Sequence, residues 1–433
     1  MTKEPMSSIN KKNETKEIVW ETKGRWWTGK MNLLNSVNRG LDIPSKIRPV
    51  DLTLREGEEV PDTVFSETEK VELAFEIQKI GFKEFEIGYA GVIPEHYRLI
   101  KRLINEGFTG KISSHTRIYG RSDEWKKEID KNIEAGAQIL TLVGCATEVG
   151  IATTPWLKKE EIPERIANCT RYAKNQGAVV TFGLADLIRT SFEKIVSCYQ
   201  AAIEVGVDRL YIYDGIGAAR PEAIRFLTRF IKDLTGDGDI EIGVHVHNTF
   251  GLAQANALAA LTSGANVVDV VPLGLGDGAG ITASEEIIGA MEILYGVQTG
   301  IKLDQLRPIC QRVAKLFKIQ MPKTKAVVGE NLYHHQIDSH VAAILRGYWY
   351  SWEVAKPEVL GFQRKLAIGH NKLREGSSGM VAALIDKMGL HVNDQQLNMI
   401  FSELRKKLEN QVSIDIEDAE EIIYHVLDFN KKE

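Results

Sequence analysis

Two histidines separated by a single residue, His245 and His247, have the residue type and spacing of a metal site. Side chains two apart on a β-strand project from the same face, so both imidazoles can reach one ion. An anionic third ligand is then needed, and Glu56 is the candidate. Arg55 beside it offers a rigid cationic fork for a carbonyl or carboxylate oxygen. Together the four side chains predict a divalent-metal site that binds an electrophilic carbonyl compound.

The histidine pair by itself also fits a second interpretation. Imidazoles are common buried hydrogen-bond donors as well as common ligands, so the pair could lie satisfied in a core. Glu56, at the end of a predicted strand, favours the metal site. Two nitrogens and one carboxylate would leave open positions on an octahedral ion, as a catalytic metal requires. The residues leave the identity of the ion open among Mg, Mn, Zn and Co.

Short β-branched runs alternate with helix-length amphipathic segments over most of the chain, a pattern typical of βα units around a parallel sheet. Eight runs are predicted to be strands: Ile47–Leu54, Glu84–Tyr89, Lys111–Arg117, Ile139–Gly144, Val179–Leu184, Arg209–Asp214, Glu241–His247 and Asn266–Leu273. Apolar residues at helical spacing predict helices between them, including Ser66–Ile80, Lys158–Asn175, Phe192–Val205 and Pro221–Thr235. Eight units in roughly 250 residues fit one (β/α)8 TIM barrel, an α/β fold.

Polar motifs fall at the carboxyl ends of these predicted strands. They are Arg55, Glu56, Tyr89, Arg117, Asp186, Asp214, His247 and the glycine-rich run 274–280. In a barrel those strand ends converge on one mouth, where catalytic groups are carried. An open doubly wound sheet would not gather them all, so their positions favour the barrel.

The remaining sequence lies on either side of this barrel. Residues 1–46 are predicted to form an N-terminal arm containing three tryptophans, and residues 47–298 the catalytic barrel. Residues 299–433 are predicted to form helical subdomains, with helices over Leu303–Phe317, His335–Leu345, Gly379–Met388, Asp394–Asn410 and Ile416–Phe429. The expected fold is therefore a TIM barrel with a C-terminal, mostly helical extension.

Composition narrows the class of protein. The chain has 433 residues, a formal net charge of -5 and 43% hydrophobic residues, enough for a large core and a second domain. A net negative charge of this size does not indicate a nucleic-acid-binding protein. The four cysteines show no paired metal or redox spacing. No apolar run approaches a membrane span, and the first residues lack the apolar core of a signal peptide, so a cytoplasmic protein is expected.

Three segments resemble the DRE-TIM metallolyases: DLTLREGEE at 51–59, HVHNTFGLA at 245–253 and GLGDGAG at 274–280. The corresponding family patterns are D-x-T-L-R-[DE]-G-E-Q, H-x-H-N-D-x-G-L-A and a G-x-G-E-R-x-G-N-like loop. The resemblance is strongest to the acyl-CoA condensing branch, which includes homocitrate, 2-isopropylmalate and Re-citrate synthases. It implies that Arg55 polarises a keto group, while Glu56, His245 and His247 bind the metal.

The third predicted strand resembles the homocitrate-type pattern T-H-x-R, in which the arginine holds the distal carboxylate of a dicarboxylic oxo acid. This implies that Arg117, with His115 and Glu86 near it, sets the length and charge of the acceptor. Glu59 stands at the position of the family's glutamine and joins the substrate-binding set. An ion pair at the barrel mouth is the alternative for Arg117, but an arginine without an anion is costly at an inward strand end.

The segment 333–340, YHHQIDSH, resembles the F-x-H-x-x-G-I-H segment of the condensing enzymes. The resemblance places His340 at their catalytic histidine, a general acid or base, with Tyr350 as its possible companion. In relatives this region reaches into the barrel of the neighbouring subunit, so a homodimer is implied. Lyases of the family lack the extension, and its presence therefore favours synthesis over cleavage.

The chain departs from the family patterns at Glu59, Ala185, Gly215, Thr249 and Trp352, and the 276–280 loop lacks its usual arginine. The resemblance implies an acyltransferase that joins acetyl-CoA to a 2-oxo dicarboxylic acid and then hydrolyses the thioester. The departures favour oxaloacetate as acceptor, giving citrate as in a Re-citrate synthase. Homocitrate synthesis from 2-oxoglutarate and 2-isopropylmalate or citramalate synthesis are alternatives. A metal-dependent aldolase or lyase of the same superfamily is an alternative class, and a catalytically inactive barrel is a third.

Overall fold

The computed structural model describes residues 21–22, 24–119, 123–147, 157–236, 238–370, 373 and 379–429. Its contacts divide the chain into two compact units. The barrel unit is Leu41–Leu332, and the second unit joins Met1–Gly40 to Tyr333–Glu433. The domain boundaries predicted at residues 46 and 298 stay predictions, because compactness alone does not define an independently folding domain.

Eight parallel strands close into a barrel, which confirms the predicted fold. The strands are β1 Arg48–Asp51, β2 Glu84–Glu86, β3 Lys111–Arg117, β4 Ile139–Cys145, β5 Val179–Ala185, β6 Arg209–Asp214, β7 Glu241–Val246 and β8 Val267–Val270. Strand β8 pairs with both β1 and β7, so the ring has no free edge. β1 ends three residues earlier than predicted, because the Asp51 carboxylate accepts hydrogen bonds from the Thr53 amide and hydroxyl and turns the chain.

A helix follows each barrel strand. The helices are α1 Glu67–Lys79, α2 Pro94–Asn105, α3 Glu124–Ala135, α4 Ile162–Asn175, α5 Phe192–Ile203, α6 Pro221–Thr235, α7 Ala253–Leu261 and α8 Ser284–Ile293, with α9 Leu306–Leu316 after the last. α1 begins where predicted because Ser66 caps it and Glu69 closes a reciprocal capping box. α2, α4 and α6 each carry a proline in the first turn, where the missing amide proton costs nothing. Among the described residues, no helix is long and apolar enough to cross a membrane.

The inside of the barrel departs from the usual filling of branched aliphatic side chains. Tyr211 and Tyr213, two apart on β6, project inward and stack with ring centroids 5.2 Å apart. Glycines make room for them, since a Cβ at Gly243 would lie 2.7 Å from the Tyr211 ring and one at Gly183 only 2.4 Å from Tyr213. Beneath them lies a buried layer of charge around Arg209. The barrel therefore has a polar, aromatic axis.

The second unit contains helices and a small sheet. Its longer helices are α10 Asp338–Leu345, α11 Gly379–Lys387, α12 Asp394–Leu408 and α13 Ile416–Phe429, and its three-stranded sheet is formed by β9 His334–His335, β10 Lys365–Gly369 and β11 Ser413–Asp415. The N-terminal segment adds a short helix, Asn35–Asn38, and a two-stranded antiparallel sheet of Glu21–Thr22 and Trp26–Trp27. The helices pack on an aliphatic core that includes Val381, Leu384 and Ile414. The predicted helix at His335–Leu345 is wrong in its first turn, because His335 pairs with Leu366 in the sheet.

The described part of the N-terminal segment packs on the C-terminal segment of the same unit. Trp26 forms a β-bridge with Ala355, and the Trp27 ring stacks on Tyr350 with centroids 4.1 Å apart. Trp20, the first of the three tryptophans singled out in the sequence, lies outside the described residues.

Candidate metal centre

Glu56 reaches the mouth of the barrel through a tight turn after β1. The Leu52 carbonyl accepts hydrogen bonds from the amides of both Arg55 and Gly57, which folds the chain into the short 3-10 helix Glu56–Glu59. Glu56 and Arg55 are both buried, with 1% and 8% of their surfaces exposed. Two charged side chains at this depth need partners, because an unpaired buried charge is strongly unfavourable.

The two histidines come from the end of β7. His245 is the fifth residue of the strand, and His247 lies just past it, held by a hydrogen bond from its amide to the Asp214 carbonyl at the end of β6. A bridge to Ile281 pairs His247 with the glycine-rich loop after β8. The strand register therefore points both rings to one side, and their Nε2 atoms lie 3.2 Å apart.

The structure brings Glu56, His245 and His247 together. His245 Nε2 lies 3.8 Å from Glu56 Oε2, and His247 Nε2 lies 3.7 Å from Glu56 Oε1. Donors bound about 2.1 Å from one ion are separated by about 3.0 to 3.4 Å for right-angle to tetrahedral arrangements. One carboxylate and two imidazole nitrogens at these separations can hold a divalent ion after small adjustments, so the donor set fits a metal.

Charge within the site favours an ionised carboxylate and a neutral imidazole. Burial raises the pKa of Glu56, but Arg55 and the two histidines outweigh it and hold the pKa below its ordinary value. Burial and the neighbouring His245 lower the pKa of His247 to about 4. Both protonation states at neutral pH are those that a metal ligand needs.

Arg55 is surrounded by carboxylates. Its Nε donates to Glu86 Oε1 at 2.7 Å, and its Nη1 lies 2.5 Å from Glu56 Oε2 and 3.5 Å from Glu59 Oε1. Burial opposes the guanidinium charge, yet Glu86 and Glu56 raise the pKa of Arg55 well above its ordinary value. Among the described residues these contacts use Nε and Nη1, which leaves Nη2 available to a ligand oxygen.

Two of the predicted substrate residues lie beside this arginine. Glu86 on β2 is buried, and although burial raises its pKa, Arg55 and His115 lower it strongly. Glu59 is partly exposed, and burial raises its pKa despite the nearby Arg55. Glu86 therefore holds a fixed charge under Arg55, whereas Glu59 can change its protonation at the rim.

His115 and Arg117 project to the same side of β3 but differ in depth. His115 is 8% exposed, its Nδ1 lies 3.7 Å from Glu86 Oε1, and its ring centroid is 4.8 Å from that of Tyr89. Arg117 exposes 57% of its side chain, with Nη2 3.6 Å from Glu128 Oε2 on α3. The ion pair weighed as the alternative for Arg117 is thus present, and its role as a substrate ligand stays a prediction.

The glycine-rich loop after β8 covers the carboxylate ligand. The Asp277 amide donates to Glu56 Oε1 at 3.2 Å. A Cβ at Gly276 would lie 2.9 Å from both the Cγ and Oε1 of Glu56, so a side chain there would displace the carboxylate. The backbone of the loop therefore approaches Glu56 as closely as a glycine allows.

One pair of residues behind the site was missed from the sequence. His245 Nδ1 lies 3.1 Å from Asp269 Oδ2, and the Tyr211 hydroxyl donates to Asp269 Oδ1 at 2.8 Å. Asp269 is 2% exposed, and burial raises its pKa while the hydrogen bond with His245 opposes that rise. The sequence feature that could have revealed Asp269 is its place in the middle of the apolar strand Val267–Val270, where a buried acidic side chain needs a polar partner.

The other predicted catalytic residues belong to the second unit. The His340 ring stacks on Trp352 with centroids 3.5 Å apart, and burial together with the charge of His335 lowers the pKa of His340. Trp352 thus supports the ring from the position where the family pattern has a tyrosine. Tyr350 stacks on Trp27 and is 36% exposed.

A hydrogen-bonded carboxylate, Glu353, contacts His335, whose ring centroid lies 6.2 Å from that of His340. Glu353 accepts two hydrogen bonds from Arg364, at 2.7 and 2.6 Å, and its Oε1 is 3.2 Å from His335 Nε2. Burial raises the pKa of Glu353, but these two partners lower it below its ordinary value. Glu353, itself buried, therefore ties His335 to the half-buried Arg364 within the second unit.

Comparison with known proteins finds one family model and several synthases that are similar in sequence to this chain. The HMGL-like family model matches residues 46–313. A homocitrate synthase of Methanopyrus kandleri is 30% identical over 90% of this chain and 95% of its own length. A putative (R)-citramalate synthase of the same organism is 30% identical over 86% of this chain and 71% of its own length. A 2-isopropylmalate synthase of Sulfurisphaera tokodaii is 29% identical over 88% of this chain and 96% of its own length.

Solved structures agree on the fold. The HMG-CoA lyase of Bacillus subtilis superposes with a TM-score of 0.56 at 19% identity, covering 65% of this chain and 97% of that chain. An HMG-CoA lyase of Acinetobacter baumannii, solved with coenzyme A and 3-methylmalate, gives a TM-score of 0.57 at 20% identity, covering 68% and 98%. At these identities the likeness shows a shared TIM barrel and nothing finer.

Proposed function

Because the chain belongs to the HMGL-like family, the DRE-TIM group that its motifs resemble, we propose that it condenses acetyl-CoA with a 2-oxo acid and hydrolyses the resulting thioester. The chain is an enzyme of the synthase class to which its relatives belong, the acyltransferases that form a carbon–carbon bond. These relatives are named for three different products, so family membership supports the reaction type, and the acceptor is a separate question.

The observation that carries this proposal is the convergence of Glu56, His245 and His247 beside Arg55 at the carboxyl end of the barrel strands. When bound there, a divalent ion (Mg, Mn, Zn or Co) supplies a Lewis acid for the keto oxygen of the acceptor. An inactive barrel used as a scaffold would have no need for a buried carboxylate facing two imidazoles. The arrangement is therefore best explained by metal-assisted carbonyl chemistry.

Arg55 has the position and charge to act on the same carbonyl. Glu86 fixes its Nε, and Glu56 and Glu59 hold Nη1, so the guanidinium cannot swing away. The free Nη2 then provides a preorganised hydrogen-bond donor for the oxyanion that develops as the new bond forms. Preorganised donors of this kind stabilise a transition state without reorienting during the reaction.

The acceptor that we propose is oxaloacetate, giving citrate. Arg117 and His115 place two basic side chains on the inner side of β3, which suits a second carboxylate better than a branched apolar chain. Glu128 is buried, but Arg117 exposes 57% of its side chain, so the guanidinium can also contact a substrate carboxylate. The names of the relatives keep 2-oxoglutarate, pyruvate and 2-oxoisovalerate as alternative acceptors.

His340 is the proposed general base that takes a proton from the acetyl methyl group, with Tyr350 beside it. Its lowered pKa keeps the imidazole neutral, and therefore able to accept a proton, at neutral pH. We further propose a homodimer in which the second unit of one subunit supplies His340 to the barrel of its partner. Exposed aromatic side chains around His340, including Tyr348 and Trp352, support a role for this surface in such an assembly.

The test is a panel of acceptors. Purified protein with Mn²⁺ and acetyl-CoA is incubated with oxaloacetate, 2-oxoglutarate, pyruvate or 2-oxoisovalerate, and release of free CoA thiol is followed. We expect thiol release with an acceptor, fastest with oxaloacetate, and none after His245→Ala. Thiol release driven best by another acceptor would overturn the citrate assignment. No release with any acceptor would remove the synthase proposal, and cleavage of a hydroxyacyl-CoA would then assign a lyase.

A further inference from the structure

A continuous series of buried hydrogen bonds runs from the floor of the barrel to the candidate metal centre. At the floor, Arg209 on β6 pairs with Glu84 through Nη1 and Nη2, at 2.5 and 3.0 Å, and with Glu241 through Nε and Nη2. Arg209 Nη1 also lies 3.4 Å from the hydroxyl of Tyr211. Arg209 and Glu84 are each 2% exposed, so this ion pair is shielded from solvent.

The groups in the series differ in whether they can donate or accept a hydrogen bond, and this determines the direction of the bonds. Arginine has donors only, so Arg209 donates to the oxygen of Tyr211. The one proton of the Tyr211 hydroxyl is then free to donate to Asp269 Oδ1, 2.8 Å away. Asp269 accepts that proton at Oδ1, and its second oxygen, Oδ2, faces His245 Nδ1 at 3.1 Å, where it offers an acceptor for an imidazole proton on Nδ1.

A neutral imidazole carries one proton, and its other nitrogen holds a lone pair. With the proton of His245 on Nδ1, the lone pair lies on Nε2, which faces Glu56 and His247. The opposite tautomer would point a proton into the space between the three ligands and block coordination. A carboxylate or carbonyl behind a ligating histidine is the usual means of selecting its tautomer.

We propose that Asp269 and Tyr211 are positioning residues that fix the tautomer and the ring orientation of His245. This inference rests on the proposed role of His245 as a metal ligand. The barrel is built to hold these two side chains, because Gly243 leaves the space that the Tyr211 ring occupies. The neighbouring Tyr213 packs on Tyr211 and lies against His245 with ring centroids 5.3 Å apart, so the imidazole cannot tilt away.

The decisive variant is Asp269→Asn, which keeps the size of the side chain. Its carbonyl oxygen accepts from Tyr211, so its amide NH₂ faces His245 and favours the tautomer with the proton on Nε2. We expect the ¹⁵N shifts of His245, in metal-free protein labelled on histidine, to change from the Nδ1–H to the Nε2–H pattern. The affinity for Mn²⁺ should fall by roughly 10- to 100-fold. The decrease in the EPR signal of free Mn²⁺ on binding measures this affinity.

Two tyrosine variants form a matched pair. Tyr211→Phe removes the hydroxyl that anchors Asp269, so we expect Mn²⁺ binding to weaken several-fold while the Nδ1–H tautomer is kept. Tyr199→Phe removes an equally buried hydroxyl that donates to the Tyr211 backbone carbonyl, outside the series that reaches His245, and should leave Mn²⁺ binding unchanged. Circular dichroism and the apo melting temperature report any general damage in each variant.

Two outcomes would overturn the inference. The first is an Asp269→Asn protein with the wild-type tautomer and wild-type Mn²⁺ affinity. The second is equal weakening by Tyr211→Phe and Tyr199→Phe, because the effect would then come from the loss of any buried hydroxyl in the barrel. Failure of the proposed function looks different: wild-type protein would bind no Mn²⁺, while the tautomer in metal-free protein would still report on Asp269.

Discussion

Arg55 can stay buried because three carboxylates compensate its charge, and the same contacts define how it can act. Glu86 occupies Nε on one edge of the guanidinium, whereas Glu56 and Glu59 approach Nη1. A guanidinium can serve several acceptors at once since its donors form a rigid planar fork, which an ammonium group cannot imitate. The side chain thus links Glu56, the proposed metal ligand, to the proposed carbonyl site through fixed geometry.

Replacement of this arginine by lysine should strongly reduce activity although the charge is kept. In Arg55→Lys a single ammonium cannot contact Glu86 and Glu56 and also reach the substrate oxygen. We expect kcat/KM to fall by roughly 100- to 1000-fold, the effect of losing one donor to a developing oxyanion. Steady-state thiol release measures this fall.

Arg189→Lys is the matched control for this variant. Arg189 also follows a barrel strand and pairs with a neighbouring acid, Asp186, but its side chain is 53% exposed. An exposed ion pair contributes little, so kcat/KM should stay within a factor of about two. If Arg55→Lys lost less than about tenfold, Arg55 would have no special part in stabilising the oxyanion.

At the scale of elements, the loop that joins β8 to α8 contacts the candidate metal centre and, like the strands, determines its geometry. Its Asp277 amide donates to Glu56, and the Asn248 amide that follows the histidine pair donates to the Gly280 carbonyl. Leu273, at the start of the loop, adopts a left-handed φ of 65°, which a leucine rarely does. Its amide donates to the fully buried Glu285 of α8, which fixes this unusual turn.

Adding one methyl group to this loop should disturb the metal centre. In Gly276→Ala the new Cβ would meet Glu56 Cγ and Oε1 at 2.9 Å, so the carboxylate must move away from the two imidazoles. We expect Mn²⁺ affinity to fall by roughly tenfold with little change in secondary structure. Titration of the EPR signal of free Mn²⁺ measures the affinity.

The control is Gly215→Ala, in the loop after β6. Neither Gly276 nor Gly215 has a left-handed φ, and a Cβ at Gly215 meets no atom within 4 Å. The two variants therefore add the same group to loops of the same mouth and differ in what it contacts. Equal Mn²⁺ affinities in both variants would show that close approach of the loop to Glu56 is unimportant.

How far the sequence predicts the elements depends on their length and pattern. Barrel strands such as β3 and β6 were predicted to the residue, because a glycine adjoins each of them, Gly110 before β3 and Gly215 after β6. β9, with two residues, and β11, with three, are too short to show alternation, so the small sheet was missed. Asp269 was missed for another reason: its role depends on His245 across a strand pairing that periodicity does not reveal.

At the scale of the whole molecule, the candidate chemistry is divided between two compact units. The barrel unit carries Glu56, His245, His247 and Arg55, and the second unit carries His340 and Tyr350. In the proposed homodimer, two-fold symmetry would give each barrel one second unit from its partner and so two equivalent sites.

Mixing two inactive variants tests this sharing directly. His245→Ala removes a metal ligand in the barrel unit, and His340→Ala removes the proposed base in the second unit. In a mixed dimer that shares its sites between subunits, one barrel is intact and receives an intact His340 from its partner, while the other site lacks both. Co-refolded or exchanged subunits should therefore regain about a quarter of wild-type thiol release, since half of the dimers are mixed and each has one intact site. Each variant alone should stay inactive, and size-exclusion chromatography with light scattering must show a dimer. A mixture that forms dimers yet regains no activity would place His340 in the barrel of its own chain or outside the reaction altogether.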